Sequence, residues 1–360
     1  MSSSFYDFGR DLLFALPPEQ AHNLAIKALS SGYGPRPDIP SDPRLTTTVA
    51  GLKFANPLGM AAGFDKNAKA VSGLFRLGFG AVEIGSVTPR AQDGNPAPRL
   101  YRLPGHHGII NRMGFNNEGH AEVLSRLNGR SYKGVLGVNI GANKDSDDRI
   151  GDYVTGIKAF NDVADYFTAN ISSPNTPGLR SLQTRESLSE LFERVLEERD
   201  RHPVRRPVFL KIAPDLSEEE IDAIAEECAV HEIDGIVISN TTLSRREVEG
   251  ARNADQAGGL SGRPVFLRST IVLAKMRERV GPDMPLIGVG GIESAETAAE
   301  KIRAGANLIQ IYSGFIYGGP LLAVRILEGL KDLCTTEGLA SLSDLRDTKT
   351  ADYAGRSLLA

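Results

Sequence analysis

Short apolar runs alternate with helix-period segments from about Asn56 to Leu333, with no long linker between them. The strand candidates are Pro57–Ala62, Ala81–Ser86, Val135–Ile140, Tyr166–Ile171, Val208–Ala213, Gly235–Ser239, Leu286–Gly290 and Leu308–Tyr312. They read as continuous apolar stretches, the pattern of parallel strands buried on both faces. Between them Ser217–Val230, Val265–Val280 and Ala295–Ala304 carry a helical period. Eight such strands alternating with helices predict a (β/α)8 TIM barrel over residues 56–335. The same alternation also fits a doubly wound open sheet.

Upstream, residues 35–55 read as a linker and a hairpin. Pro35, Pro37, Pro40 and Pro43 stiffen it, and Thr46–Ala55 forms a short hairpin suited to plugging the bottom of a barrel. Residues 1–34 predict a two-helix extension. Ser4–Leu16 carries Phe5, Phe8, Leu12, Leu13, Phe14 and Leu16, and a second helix starts at Pro17-Pro18-Glu19. This much apolar surface on so short a unit suits either simple packing on the barrel or an interfacial, hydrophobic-ligand site. The unit is nearly neutral, so any membrane contact rests on apolar burial rather than lipid charge. Residues 336–360 are polar, expected as a short surface helix or a partly disordered tail.

Bulk properties narrow the function little but usefully. The composition, 41% hydrophobic and 24% charged, is that of a soluble globular protein, and a net charge of −4 gives no reason to expect nucleic acid. Cys228 and Cys334 form no metal-ligand spacing and no disulfide framework. No apolar stretch reaches the roughly 18 residues needed to span a bilayer, and the N-terminus lacks the marks of a secretory signal.

Barrel enzymes place their chemistry at the C-terminal ends of the strands, and polar residues recur there. The first strand runs into Ala61-Ala62-Gly63-Phe64-Asp65-Lys66-Asn67, where glycine admits a flat ligand and Lys66 suits an anion. The second ends in Glu83-Ile84-Gly85-Ser86-Val87-Thr88. A long loop then carries Arg99, Arg102, His106 and His107 to Asn111-Arg112-Met113-Gly114-Phe115-Asn116-Asn117. Asparagines read the amide and carbonyl edges of a planar ring. The histidines have no carboxylate or cysteine at ligand spacing and read as structural, and no metal is expected. Asn139, Asn170, Lys211 and Ser239-Asn240-Thr241-Thr242 follow at the next strand ends. Gly258–Gly262 reads as a flexible loop letting backbone reach a ligand. Gly290-Gly291 and Tyr312-Ser313, after the last two strands, mark the usual barrel phosphate site.

The segment Asn170-Ile171-Ser172-Ser173-Pro174-Asn175-Thr176-Pro177-Gly178-Leu179 closely resembles the catalytic loop of quinone-dependent (class 2) dihydroorotate dehydrogenases of the bacterial type. Ala61–Asn67, Asn111–Asn117, Ser239–Thr242 and Gly288–Ile292 match in order and spacing, so the resemblance covers roughly residues 5–335. It implies an FMN barrel that oxidises dihydroorotate to orotate in pyrimidine synthesis, with Ser173 as base. FMN would be held by Ala62, Gly63, Lys66, Ser86, Asn139, Asn170, Lys211, Ser239, Gly262, Gly291, Tyr312 and Ser313. Substrate would be held by Lys66, Asn111, Arg112, Met113, Gly114, Phe115, Asn116, Asn170, Asn175, Asn240 and Thr241. The N-terminal helices would form a tunnel lined by His22 and Arg102 that admits ubiquinone or menaquinone, on the cytoplasmic face of the inner membrane. Class 1 relatives use a cysteine base and lack the helix pair. Ser86 and Ser239 stand where threonine is common in relatives. A lid movement of Ser181–Arg185, after the catalytic loop, would be natural for a site that must exclude water. Two other readings are a soluble flavoprotein using fumarate or NAD, and a flavin-free lyase or aldolase with Lys66 or Lys211 as a Schiff base; the latter leaves the amide-rich loops unexplained.

Overall fold

The computed structural model describes residue 10 and residues 13–32, 34–129 and 133–358. Eight parallel strands close into a barrel: β1 (Leu58–Met60), β2 (Ala81–Val87), β3 (Val135–Ile140), β4 (Tyr166–Asn170), β5 (Val208–Ile212), β6 (Gly235–Ile238), β7 (Leu286–Val289) and β8 (Leu308–Ile311). All eight predicted strands are present; six end one or two residues earlier than predicted, Val135–Ile140 agrees at both ends and Ala81–Val87 runs one residue further. β8 pairs with β1 in the register Ile309↔Leu58, which closes the ring and rules out the open sheet.

The intervening helices start where their capping chemistry allows. Ser217 accepts from the Glu220 N–H while the Glu220 carboxylate takes the Ser217 N–H, and the helix Glu218–Val230 follows. Ser294 and Thr297 form the same reciprocal cap for Ala295–Arg303. Outward apolar faces of the strands pack on these helices in one large core. Inward-facing Ala81, Val135, Tyr166, Phe209, Val237 and Ile287 fill the barrel itself. The antiparallel hairpin Thr47–Val49 and Leu52–Phe54 closes the bottom, inserting Val49 and Phe54 into that inner cluster.

Three stretches are arranged differently from the sequence-based expectation. Gly258–Gly262, read as a flexible loop, contains an ordered strand, Gly259–Gly262, paired antiparallel with Gly108–Asn111. Its glycines serve close approach rather than mobility: a Cβ at Gly259 would lie 1.9 Å from the Thr241 hydroxyl oxygen, and one at Gly258 2.3 Å from the Asn111 carbonyl oxygen. The long loop after β2 is itself a hairpin, Leu100–Leu103 against Gly108–Asn111, completing a three-stranded sheet over the mouth of the barrel. The polar C-terminal segment is docked, with Leu342, Leu345 and Tyr353 buried. Lys275 Nζ donates to the Ala354 carbonyl (2.6 Å) and the Tyr353 hydroxyl to Glu300 (2.8 Å), fastening this segment across two barrel helices.

Of the apolar segment Ser4–Leu16, the residues Ser4–Gly9, Asp11 and Leu12 lie outside the described residues; Leu13–Ala15 are helical. The following helix, Pro18–Ser30, lies against the barrel helix Val71–Arg76, and Gly73 lacks a side chain where a Cβ would sit 2.5 Å from the Leu29 carbonyl oxygen. Arg99 forks onto the Glu19 carboxylate at 2.6–3.2 Å, tying this helix to the mouth of the barrel. No helix among the described residues is long and apolar enough to cross a membrane.

Candidate active site

Because the strands are parallel, their C-terminal ends form one face, and the polar residues picked out along the sequence converge there. They line a cleft of about 780 Å³ up to its open mouth. Its walls include Ala62, Gly63, Lys66, Ser86, Asn111, Met113, Gly114, Phe115, Asn170, Ser173, Asn175, Lys211, Asn240, Thr241, Tyr312 and Ser313. Asn139 and Ser239 are buried behind that wall, where Asn139 bonds Ser86 and the Ser239 hydroxyl donates to the Asn240 carbonyl at 3.0 Å. Gly262 and Gly291 flank the cleft without lining it. Both have positive φ (94° and 74°), and a Cβ there would meet the His107 carbonyl oxygen at 2.1 Å or the Phe266 Cβ at 2.4 Å. Only glycine fits either turn.

Arg112 and Asn116 do not line the cleft. The Arg112 guanidinium lies 4.9 Å over the Tyr101 ring and donates to the Pro98 and Ala257 carbonyls, so it fastens the surrounding hairpin. His107 stacks on Tyr317 and pairs with Glu293 at 2.8 Å.

Ser173 is buried, and its hydroxyl oxygen accepts from the Asn175 N–H at 3.3 Å. No carboxylate, imidazole or amine bonds that hydroxyl among the described residues. Asn175 donates in turn to the Asn111 side-chain oxygen at 3.3 Å, joining the catalytic-loop candidate to the hairpin. Asn95 clamps both, donating to the Arg112 and Asn175 carbonyls at 3.0 and 3.1 Å.

Two lysines give the cleft its positive charge. Lys66 Nζ donates to the Gly63 carbonyl at 2.7 Å. Burial, only partly offset by Glu19, pushes its ammonium down to about 8. Burial also lowers Lys211, opposed by Glu83. A buried ammonium without a bonded partner is costly unless an anionic or electron-rich group meets it.

A second cavity, about 1080 Å³ up to its open mouth and largely apolar, lies between the N-terminal helices and the barrel mouth. His22 and Arg102 both line it. His22 packs edge-on against Phe64, and burial followed by the nearby Lys66 charge pushes its imidazole down to about 3, so it is neutral at ordinary pH. Arg102 caps the end of the first helix, donating to the Phe14 and Leu16 carbonyls at 3.0 Å, with its guanidinium over the Phe14 ring. Leu100, Ile109 and Tyr312 line both cavities and form the partition between them.

Sequence reasoning passed over several of these groups. Leu100 and Ile109 sit in what read as a polar loop. Ser261 lines the cleft beside the predicted Gly262, with its hydroxyl 2.8 Å from that of Ser313. Arg180 ties the loops after three strands together, donating to the Ser172 and Thr241 carbonyls (both 3.1 Å) and to Asp215 (3.1 Å). Its position next to the catalytic-loop segment was the one available signal. The R180A variant should loosen this loop. With the Arg180–Asp215 pair partly solvent-screened, a cost of about 1–2 kcal/mol is expected. It would be read as faster limited proteolysis at residues 173–185 and a higher KM for the small-molecule substrate, and unchanged proteolysis would contradict it.

A closed barrel with an amide-lined cleft, tight turns at Gly262 and Gly291, and two buried lysines is the architecture of a barrel enzyme. Comparison with known proteins specifies it further. The sequence model of the family described as "Dihydroorotate dehydrogenase" matches residues 44–334. A protein of Agrobacterium fabrum named "Dihydroorotate dehydrogenase (quinone)" is 58% identical, covering 99% of this chain and 100% of that one. One of the same name from Brucella melitensis is 57% identical over the whole of both. The dihydroorotate dehydrogenase of Eimeria tenella, solved ligand-free and with ferulenol, superposes with a TM-score of 0.89 in both forms at 37% and 36% identity, covering 92% and 94% of this chain and 99% and 98% of the other. The chain belongs to the dihydroorotate dehydrogenase family, in its quinone-dependent class.

Proposed function

We propose that this chain oxidises (S)-dihydroorotate to orotate in pyrimidine biosynthesis and passes the electrons to a membrane quinone. The observation that carries this reading is the pair of cavities: an amide-lined cleft holding Ser173 and an apolar cavity under the N-terminal helices, parted only by Leu100, Ile109 and Tyr312.

The cleft fits FMN. Gly262 and Gly291 hold turns that only glycine can adopt against His107 and Phe266, and the Ser261 and Ser313 side chains at the cleft wall offer hydroxyls for a phosphate. Ala62, Gly63, Ser86, Asn170, Lys211 and Tyr312 supply a wall for a flat polar ring, supported from behind by Asn139 and Ser239. When bound, FMN supplies a hydride acceptor and the means of passing electrons on.

The protein's part is binding, orientation and the proton. Lys66 offsets the carboxylate of the substrate, while Asn111, Asn175, Asn240 and Thr241 bond its amide edges. Met113, Gly114 and Phe115 shape the cleft through the hairpin. Ser173 takes the proton from the substrate carbon, and its hydroxyl is held for that role by the Asn175 N–H. Arg112 and Asn116 contribute by holding this segment rather than through side chains that line the cleft. His22 and Arg102 line the route for ubiquinone or menaquinone, and the apolar N-terminal helices rest the protein peripherally on the cytoplasmic face of the membrane.

The direct test is dihydroorotate oxidation by the purified protein with short-chain ubiquinone, fumarate or NAD as acceptor. Turnover with quinone alone is expected. Turnover with fumarate or NAD instead would overturn the acceptor, and a colourless protein inactive with all three would overturn the flavin chemistry.

The lysine gives a pH dependence. Lys66 binds an anion only while protonated, and its ammonium is pushed down to about 8. The KM for dihydroorotate should therefore be flat below that value and rise about tenfold per pH unit above it. An unchanged KM up to pH 9.5 would remove Lys66 from substrate binding.

A further inference from the structure

Glu83 lies in the middle of β2 with none of its surface exposed, below the floor of the cleft. A carboxylate buried this deeply is costly unless its oxygens are saturated with donors. Four donors reach it: Asn139 Nδ2 at 2.8 Å on one oxygen, and the Tyr166 hydroxyl (3.0 Å), the Thr168 hydroxyl (3.1 Å) and Gln310 Nε2 (2.8 Å) on the other. They come from β3, β4 and β8, so the carboxylate is the hub of the barrel's polar centre.

The bonds do not stop there. Asn139 turns its oxygen to the Ser86 hydroxyl. Ser86 accepts from Asn170 Nδ2 at 2.9 Å. The Asn170 oxygen then accepts from the Ser172 hydroxyl (3.0 Å) and Asn240 Nδ2 (3.2 Å). An asparagine amide has a donor end and an acceptor end, and nothing in its shape chooses between them. Here the choice is made by Glu83, because a carboxylate can only accept. It holds Asn139 donor-end down, which makes Ser86 donate to Asn139 and accept from Asn170. That leaves the Asn170 oxygen facing Ser172 and Asn240, next to Ser173. Glu83 also acts electrostatically on Lys211, which lines the cleft three strands round the barrel from β2.

We propose that Glu83 is a positioning residue of the dehydrogenase reaction: it sets the polarity of the relay Asn139–Ser86–Asn170 under the cleft and is the counter-charge of Lys211. This inference rests on the proposed flavin chemistry. Replacing Glu83 by glutamine keeps the shape, removes the charge and turns one acceptor oxygen into an N–H₂ from which neither Asn139 Nδ2 nor Gln310 Nε2 can accept. Either Asn139 turns over, reversing every bond up to Asn170, or the cluster of Tyr166, Thr168 and Gln310 loses its acceptor.

The experiment compares wild-type and E83Q holoprotein by FMN dissociation constant and by reduction potential, with dihydroorotate–quinone turnover of the wild type as the control on the functional reading. E83Q is expected to bind oxidised FMN about tenfold less tightly, the loss that follows when a buried polar bond is left unmade. Removing the negative charge leaves Lys211 uncompensated and favours the anionic reduced flavin over the neutral oxidised one. About a tenfold gain in that preference shifts a two-electron potential roughly 30 mV positive. A merely structural carboxylate would weaken both redox forms equally, so lowered affinity with an unmoved potential would overturn the counter-charge role. Wild-type affinity would overturn the relay.

S86A keeps the proposal testable if E83Q does not fold, since it cuts the relay one link above the carboxylate. Its FMN affinity should fall about tenfold with no change in potential, and unaltered affinity would overturn the relay. If wild-type protein fails to oxidise dihydroorotate at all, the functional reading fails first, independently of either variant.

Discussion

Replacing Ser173 by alanine should slow dihydroorotate oxidation about 10²- to 10⁴-fold, the usual contribution of a positioned general base. The reaction removes a proton from one carbon and a hydride from its neighbour, and Ser173 is the sole hydroxyl of its loop that lines the cleft beside Asn175 and Asn111. The structure explains why the loss should fall on chemistry rather than on assembly. The side-chain oxygen of Ser173 makes one bond, to the Asn175 N–H, while the loop itself is held by Arg180 and Asn95 through main-chain carbonyls. S173A should consequently retain flavin and keep dihydroorotate affinity within a few-fold. Rapid mixing with dihydroorotate, following loss of the yellow flavin absorbance, isolates the step; bleaching within tenfold of the wild-type rate would rule out Ser173 as the base.

The second large effect concerns the other cavity. Ala21 is buried on the helix Pro18–Ser30 and lines the apolar space also bounded by His22, Phe64 and Tyr312. Tryptophan at this position would fill the apolar space proposed for the quinone at an overpacking cost of about 1–3 kcal/mol, so quinone kcat/KM should fall about 10- to 100-fold. The cleft lies beyond the partition of Leu100, Ile109 and Tyr312, so bleaching by dihydroorotate should remain at the wild-type rate. Loss confined to the quinone half of the cycle assigns the cavity to the acceptor. Equal loss in both halves would mean that the helix merely supports the barrel, and unchanged quinone kinetics would place the acceptor elsewhere.

The neutral imidazole of His22 bears on the same route. Pushed down to about 3 by burial and by Lys66, it adds no charge to the apolar cavity at neutral pH. Arg102 brings charge to the mouth of the cavity, yet its guanidinium is occupied by the Phe14 and Leu16 carbonyls and the Phe14 ring. The cation is thus part of the seam between helices and barrel, and a ligand entering there meets it already bonded.

How far the sequence could be read depended on whether a signal was local. The eight strands were legible because parallel strands buried on both faces need unbroken apolar residues, as in Val208–Ile212 with all five residues buried. Helix starts were legible where Ser217 and Ser294 cap them. Lys66, Asn170, Lys211 and Asn240 were legible because polar side chains at or a few residues past the C-terminal ends of buried strands gather at the open end of a barrel. The strand Gly259–Gly262 was not, because a glycine-rich stretch has the same composition whether it is mobile or pressed flat against Thr241 and Asn111. Leu100–Leu103 and Gly108–Asn111 escaped for a related reason: each is four residues long, and the pairing of Gly108–Asn111 with Gly259–Gly262 spans about 150 residues of chain.

Local periodicity and the order of polar strand ends, then, were enough in the sequence itself to define an alternating strand–helix fold, its chemical face and the residues that crowd there, while the choice of a closed barrel over an open sheet came with the β8–β1 pairing. Only the tertiary structure decided how those residues act on one another. It turned Arg112 away from the cleft, brought Arg180 across three loops, and set two cavities against a single partition. It also placed Glu83 where one carboxylate orients a chain of amides. Hydrogen-bond direction and buried charge depend on partners distant in sequence, and those partners meet only when the barrel closes.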